Sequence, residues 1–160
     1  MAGVIRVVIL DDHALFHQAL MSWLQSQGPS IEVAYAGEDV DSALASARGC
    51  DVVLLDLDLG SQAPPLPQLV ASFREAGCGV LIVSALGSPR VVRQGLAAGA
   101  LGYMSKREDP EALLGAILAT AMLAADKNFE TAEFAVCTRE DAKGQGVSWS
   151  LLDHAVRYAK

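Results

Sequence analysis

The chain has 160 residues, 52% of them hydrophobic, and its formal net charge is −7 at pH 7. This length allows one well-built domain and a short additional segment, and the hydrophobic fraction excludes a disordered chain. No apolar run approaches the roughly 20 residues that span a bilayer, and the acidic balance argues against a protein that binds the phosphate backbone of nucleic acids.

Repeated pairs of a strand and a helix are the main pattern of the first 122 residues. Short apolar runs rich in β-branched residues alternate with amphipathic stretches, which is typical of a parallel sheet covered by helices on both faces. The strand candidates begin at Ile5 (IRVVIL), Ile31 (IEVAYA), Val52 (VVLLD), Val80 (VLIVS) and Leu101 (LGYMS). The predicted helices extend over residues 14–27, 39–48, 66–76, 89–98 and 110–124.

Cap and turn signals separate these elements. Asp39 and Asp109 are predicted N-caps, because a carboxylate accepts hydrogen bonds from the free N–H groups of a first helical turn. Pro110 then suits the first helical position. The segment SQAPPLP, from Ser61 to Pro67, is predicted to be a loop because closely spaced prolines continue neither a helix nor a strand.

Two further sequence features predict a cytoplasmic protein. The N-terminus MAGVIRVVIL has neither the charged start nor the small-residue cleavage site of a signal peptide. The cysteines Cys50, Cys78 and Cys137 are far apart and form no C-x-x-C, which argues against both a disulfide framework and a zinc site.

Three carboxylates stand where the first and third predicted strands end. The first strand runs into Asp11 and Asp12, and the third ends on Asp56. Ligands of an open α/β sheet gather beyond the carboxyl ends of its strands, so we expect these side chains to lie together. Like charges at close range raise one another's pKa unless a cation neutralises them, and Mg²⁺ is a hard ion that suits a few carboxylates. Asp56 could then attack a phosphoryl donor.

Two other strand ends carry groups that suit an acyl phosphate. Ser84 ends the fourth strand and offers a hydroxyl donor, and Lys106 follows the fifth strand and offers a cation. Each signal alone has an ordinary explanation, namely a turn serine, a solvated lysine or, for the Asp pair, a helix N-cap. Their combination at the ends of neighbouring strands favours a phosphoryl-transfer site.

The motifs DDHALFHQAL, VVLLDLDL, VLIVSA and AAGALGYMSK occur in this order. Together they resemble the receiver domain of NarL/LuxR-type response regulators over residues 4 to about 122. The resemblance implies a flavodoxin-like α/β fold, a doubly wound parallel sheet of five strands in the order 2-1-3-4-5. One departure follows Asp56, where the family usually has an apolar residue and then Pro, whereas this chain has Leu59-Gly60 and then SQAPPLP.

The resemblance also implies roles for individual residues. The ligands of Mg²⁺ would be Asp11, Asp12, Asp56 and, through its backbone carbonyl, Asp58. The groups that act on the phosphate would be Asp56 as acceptor, Lys106 as cation, Ser84 as switch hydroxyl and Tyr103 as switch aromatic residue. His13 completes the DDH of this subfamily, and we assign no chemistry to it.

The last 30 residues resemble a segment of a second, unrelated family. Residues 131–160 look like the acetyl-CoA-binding part of GNAT-type N-acetyltransferases, with a strand, a pyrophosphate loop and a following helix. Backbone N–H groups at a helix start bind phosphates, so Lys143, Gly144 and Gly146 would hold the cofactor. The other strands of such an enzyme have no counterpart in the sequence, and we favour a structural extension over a working acetyl-CoA site.

We therefore predict a receiver domain over residues 1–124 and an appended strand–loop–helix extension over residues 125–160. A histidine kinase would phosphorylate Asp56, and the change would be read on the fourth helix, fifth strand and fifth helix. The alternatives are an acyl-CoA-binding protein or N-acetyltransferase that uses the KGQG loop, and a recombined chimera without selected activity. We expect no enzyme beyond self-phosphorylation and self-dephosphorylation, no binding of DNA or membranes, and a homodimer through the extension or through that same face.

Overall fold

The computed structural model of the chain describes residues 3–85 and 87–125, in which strands and helices alternate. The strands are β1 (Ile5–Leu10), β2 (Ile31–Gly37), β3 (Val52–Leu55), β4 (Gly79–Ser84) and β5 (Gly102–Ser105). The helices are α1 (Ala14–Ser26), α2 (Val40–Ala47), α3 (Leu66–Glu75), α4 (Pro89–Ala97) and α5 (Pro110–Ala125). All the elements predicted for this part of the chain are confirmed, with small shifts of their ends.

The strands form one parallel sheet in the order β2-β1-β3-β4-β5, which confirms the predicted flavodoxin-like topology. Leu10 pairs with Leu55, Leu55 with Ile82, and Ile82 with Tyr103, so these residues form one row across the sheet. Residues that follow β1, β3, β4 and β5 therefore meet at a single edge, the one formed by the carboxyl ends of the strands.

Alternate residues of the strands build two separate apolar layers, because successive side chains of a strand point to opposite faces. In β1, Val7 and Ile9 belong to the layer under α1 and α5, whereas Val8 and Leu10 belong to the layer under α2, α3 and α4. None of these side chains is more than 1% exposed. Burial on both faces explains why the strands read as continuous apolar runs.

Side-chain caps begin two of the helices as predicted. Asp39 Oδ2 accepts a hydrogen bond from the Ser42 amide at 2.9 Å, and Asp109 Oδ1 accepts one from the Glu111 amide at 3.1 Å. The predicted loop through Pro67 is too long, since α3 already begins at Leu66 and contains Pro67 in its first turn. Proline is tolerated there because the first N–H groups of a helix have no intrahelical acceptor.

Helix α5 is apolar on nearly all sides. Ile117 is fully buried against the sheet, yet Leu118 and Met122 on the outer side are 38% and 43% exposed. Among the described residues, no helix is both long enough and apolar enough to cross a membrane.

The predicted extension over residues 125–160 lies almost entirely outside the described residues, which end at Ala125. Its strand, its KGQG loop, its acetyl-CoA site at Lys143, Gly144 and Gly146, and the homodimer through it therefore stay predictions.

Candidate functional site

Buried polar residues end three of the strands. Asp11 after β1, Asp56 after β3 and Ser84 at the end of β4 are each only 2% exposed. Backbone hydrogen bonds extend the strand pairing to the two acidic residues: the Asp56 N–H donates to the Leu10 carbonyl at 3.0 Å, and the Asp11 N–H donates to the Gly37 carbonyl at 2.9 Å. The acidic side chains thus meet at the carboxyl edge of the sheet.

Lys106 joins these carboxylates from the end of β5. Its Nζ lies 2.5 Å from Asp11 Oδ2 and 3.0 Å from Asp56 Oδ2, and its side chain is only 8% exposed. The ammonium also lies 4.5 Å from the centroid of the Phe16 ring, within the range of a cation–π interaction. Lys106 is therefore a buried, paired cation and not a solvated surface lysine. Phe16, which the sequence analysis did not single out, supports it from α1.

His13 is a second residue that the sequence analysis left without a chemical role. It is the N-cap residue of α1, and its backbone N–H donates to Asp11 Oδ1 at 2.8 Å. Its Nδ1 lies 2.9 Å from Asp12 Oδ1, 3.2 Å from Asp11 Oδ1 and 3.5 Å from Asp56 Oδ2. The ring thus faces the carboxylates that the motif predicted. The signal available in the sequence was its position, directly after the Asp pair.

The electrostatics of the cluster follow from this crowding. Burial raises the pKa of Asp56, the hydrogen bond from Lys106 lowers it, and the charge of Asp11 raises it again, so that the pKa lies above its ordinary value. The charge of Lys106 lowers the pKa of His13, but the hydrogen bond to Asp11 and the charge of Asp12 outweigh it, and that pKa is raised as well. The raised pKa of Asp56 therefore reflects first its burial, and the raised pKa of His13 reflects the carboxylates around the ring.

The donor set fits a hard divalent cation. Ligand atoms of Asp11, Asp12, His13 and Asp56 all lie within 4.8 Å of one another. Asp12 Oδ1 is buried and accepts no hydrogen bond from the residues that the structure describes, although it lies 2.9 Å from His13 Nδ1. A buried carboxylate oxygen without a donor in an acidic pocket is consistent with a Mg²⁺ ligand.

The remaining predicted site residues lie around this cluster. The Asp58 side chain is exposed, while the Asp58 backbone donates a hydrogen bond to the Asp56 carboxylate. The Ser84 carbonyl accepts a hydrogen bond from the Lys106 amide at 3.0 Å, which ties the end of β4 to the residue after β5. Tyr103 lies against the loop before α4: a Cβ on Gly87 would stand 2.6 Å from the Tyr103 hydroxyl oxygen.

An apolar cavity of about 270 Å³ opens beside Lys106, between α1 and the start of α5. Its walls include Phe16, Trp23, Val83 and Leu113, and Lys106 also lines it. The lysine therefore contacts both the carboxylate cluster and the apolar cavity.

The comparisons with known proteins cover the part of the chain that carries this site. A model of the response regulator receiver domain matches residues 7–118. The transcriptional regulatory protein DegU of Brevibacillus brevis is 32% identical over 123 residues, which is 73% of this chain and 50% of DegU. The nitrate/nitrite response regulator protein NarP of Escherichia coli (strain K12) is 35% identical over 118 residues, which is 72% of this chain and 54% of NarP.

Among solved structures, the signal receiver domain of the response regulator NarL from Mycobacterium tuberculosis matches with a TM-score of 0.65 at 31% identity. The match covers 74% of this chain and 97% of that domain. The chain spans about half the length of the curated relatives it matches, because 50% of DegU and 54% of NarP are covered.

Proposed function

This chain belongs to the response regulator receiver domain family, and we propose that its Asp56 accepts a phosphoryl group from a histidine kinase. The observation that supports this assignment best is the buried carboxylate of Asp56, which faces the ammonium of Lys106 at 3.0 Å within an acidic pocket. A nucleophilic carboxylate needs such a cation, because phosphoryl transfer adds negative charge to a site that is already acidic.

The reaction would begin with attack of an Asp56 carboxylate oxygen on phosphorus. The new O–P bond forms as the bond between phosphorus and the leaving group breaks, and the product is an acyl phosphate on Asp56. Lys106 would pair with the phosphoryl oxygens, since its Nζ already contacts the attacking carboxylate. The carboxylates of Asp11, Asp12 and Asp56, with the backbone of Asp58, would hold Mg²⁺, which would neutralise charge on those oxygens.

The conformational response would use Ser84 and Tyr103. Ser84 ends β4 directly before the loop that contains Gly87, and the Tyr103 ring lies against Gly87. A phosphate that draws the Ser84 hydroxyl toward itself would move this loop and release the contact with the ring. The shift would bias a two-state equilibrium whose output surface is α4, β5 and α5.

The wider biological role follows from the relatives only as part of the proposal. DegU is named a transcriptional regulatory protein, and this chain corresponds to about half of it. We propose that the receiver controls an output through its phosphorylation state, with a histidine kinase as donor. We also propose that it catalyses no reaction beyond its own phosphorylation and dephosphorylation, and that α4, β5 and α5 are a candidate surface for homodimerisation.

The test is the intact mass of the protein after treatment with acetyl phosphate and Mg²⁺. Wild type should gain one phosphoryl group, and Asp56→Asn should gain none. Asp41→Asn is the matched control, because Asp41 is an exposed carboxylate of α2 and should leave the labelling intact. Equal labelling of Asp56→Asn and wild type would refute the acceptor, and labelling that persists in excess EDTA would remove the metal ion from the mechanism.

The switch has its own test. Hydrogen exchange over residues 87–105 should respond to phosphorylation in wild type and respond much less in Ser84→Ala. An identical response in both proteins would show that Ser84 is not the coupling group.

A further inference from the structure

We propose that His13 is a nitrogen ligand of the metal site and gives that site a preference for first-row transition ions over Mg²⁺. The inference rests on the metal binding proposed above and concerns which ion the site selects. Its starting point is that the ring nitrogen Nδ1 faces three carboxylates at once, at 2.9 Å from Asp12, 3.2 Å from Asp11 and 3.5 Å from Asp56.

These separations are those of neighbouring ligands around one ion. In an octahedral complex with metal–ligand bonds of about 2.1 Å, adjacent ligand atoms lie about 3.0 Å apart. The three distances from Nδ1 lie near this value. An ion bound by these carboxylate oxygens would therefore come within bonding distance of Nδ1 with little movement of the ring. The backbone N–H of His13, bonded to Asp11 Oδ1 at 2.8 Å, keeps the residue close to the site.

Asp12 Oδ1 is the carboxylate oxygen next to the ring: it is buried, although the Asp12 side chain is 32% exposed, and it lies 2.9 Å from Nδ1. This oxygen accepts no hydrogen bond from the described residues, so a bound metal ion would provide the partner that it lacks. Lys106 and His13 contact different oxygens of Asp11, Oδ2 and Oδ1, and both contact Oδ2 of Asp56. The 3.3 Å contact between Lys106 and Nδ1 would be given up on metal binding, and the lysine would keep its two carboxylate partners.

A nitrogen among the ligands changes which ion is favoured. Mg²⁺ takes oxygen ligands and is held by carboxylates and water, whereas imidazole suits first-row transition ions, whose affinity rises from Mn²⁺ to Co²⁺ and beyond. A site with three carboxylates and an imidazole should therefore bind Co²⁺ much more tightly than Mg²⁺. The same site with only oxygen ligands should discriminate less.

The experiment replaces the nitrogen by an oxygen at nearly the same position. In His13→Asn the amide oxygen stands close to where Nδ1 lies, and Asn is a favoured N-cap residue, so α1 should still begin normally. His17→Asn is the matched control, since it alters a histidine of the same helix that is not one of the clustered ligands. The affinities of the full chain for Co²⁺ and for Mg²⁺ are measured by calorimetry. The visible absorption of bound Co²⁺ reports its ligands.

We expect His13→Asn to weaken Co²⁺ binding by about tenfold or more, because even outer-shell partners of a ligand change metal affinity by about 10- to 100-fold. Mg²⁺ binding should change by less than about threefold, since an oxygen ligand suits that ion. His17→Asn should resemble wild type for both ions. Unchanged Co²⁺ affinity in His13→Asn, or an equal loss for both ions, would overturn the inference while leaving the metal site intact. A wild type that binds neither ion would overturn the proposed metal binding and this inference together.

Discussion

At the carboxyl ends of β3 and β4 the chain buries Asp56 and Ser84, whereas just before the amino ends of the same strands it buries Cys50 and Cys78. Burial raises the pKa of Asp56 and also the pKa of Cys78. At both edges of the sheet, burial is the main cause that raises the pKa of an ionisable group. The two edges differ in what surrounds that group.

Asp56 accepts a hydrogen bond from the ammonium of Lys106, which favours the charged form of the carboxylate. The Cys78 thiol instead donates to the carbonyls of Ala47 and Cys50, at 3.1 Å and 3.3 Å, and the charges of Cys50 and Asp51 push its pKa further up, to about 12. At the carboxyl edge, the buried carboxylate of Asp56 has a cation beside it and can react in its charged form. At the amino edge, the buried thiol of Cys78 has no such partner among the described residues and stays neutral.

A carboxylate buried at the amino edge should have the largest effect on stability, because no cation of the described residues contacts Cys78 there. Cys78→Asp should lower the free energy of unfolding by about 5 kcal/mol, because an unpaired charge at a nearly inaccessible position has lost its hydration. Cys78→Ser should cost only about 1 kcal/mol, since a hydroxyl still donates to the same carbonyls. Urea unfolding of both variants measures the difference. Similar losses for Asp and Ser would show that the amino edge tolerates charge.

The reactivity of the Cys78 thiol tests its environment without a substitution at that residue. With the pKa of Cys78 raised from 9.0 to about 12, its thiolate at pH 8 should be about a thousandfold scarcer than that of an ordinary thiol. In a Cys137→Ser background, labelling of Cys78 by iodoacetamide should be correspondingly slow in the native protein and fast in urea. Peptide mass spectrometry distinguishes Cys78 from Cys50. Fast native labelling of Cys78 would contradict the assigned environment.

Removal of the cation tests the carboxyl edge. Lys106→Met should destabilise the protein by about 3 kcal/mol at pH 7, because Asp11 and Asp56 lose the ammonium that compensates them. Without Lys106 the pKa of Asp56 should rise further, and a group whose folded pKa is raised favours folding at low pH and disfavours it as pH rises through that pKa. The stability difference from wild type should therefore shrink between pH 7 and pH 5. Unfolding curves in EDTA at both values check this.

The smallest expected effect concerns the ring that supports Lys106. Phe16→Leu should slow phosphorylation by acetyl phosphate roughly two- to fivefold, since a cation–π contact contributes about 0.5–1 kcal/mol. Phe16→Tyr retains an aromatic face and should react at nearly the wild-type rate. Stopped-flow fluorescence of the nearby Trp23, which lines the same apolar cavity, provides the measurement. Equal rates for Leu and Tyr would exclude an effect specific to the ring.

Much of this architecture is local information and was predictable. The period of apolar residues predicts each strand and helix, and the order of polar residues at the strand ends predicts that Asp11, Asp56 and Ser84 lie at one edge. Asp39 and Asp109 cap their helices as their residue types indicate. The elements and their caps depend on a few neighbouring residues each, whereas the common edge follows from the general rule that parallel strands share their carboxyl ends.

Contacts across long stretches of chain were decided by the tertiary structure. His13 and Lys106 lie 93 positions apart in the chain and contact each other in the fold. This contact depends on the turn between β1 and α1 and on the register of β5 against β4. Packing also sets the direction of two other side chains, the Tyr103 ring against Gly87 and the Cys78 thiol that donates to the Ala47 carbonyl. Residue types indicate that a histidine or a lysine can carry charge. Only the assembled sheet brings three carboxylates, an imidazole and an ammonium into one cluster. The free energy gained by apolar burial on both faces offsets the cost of placing these charged groups close together.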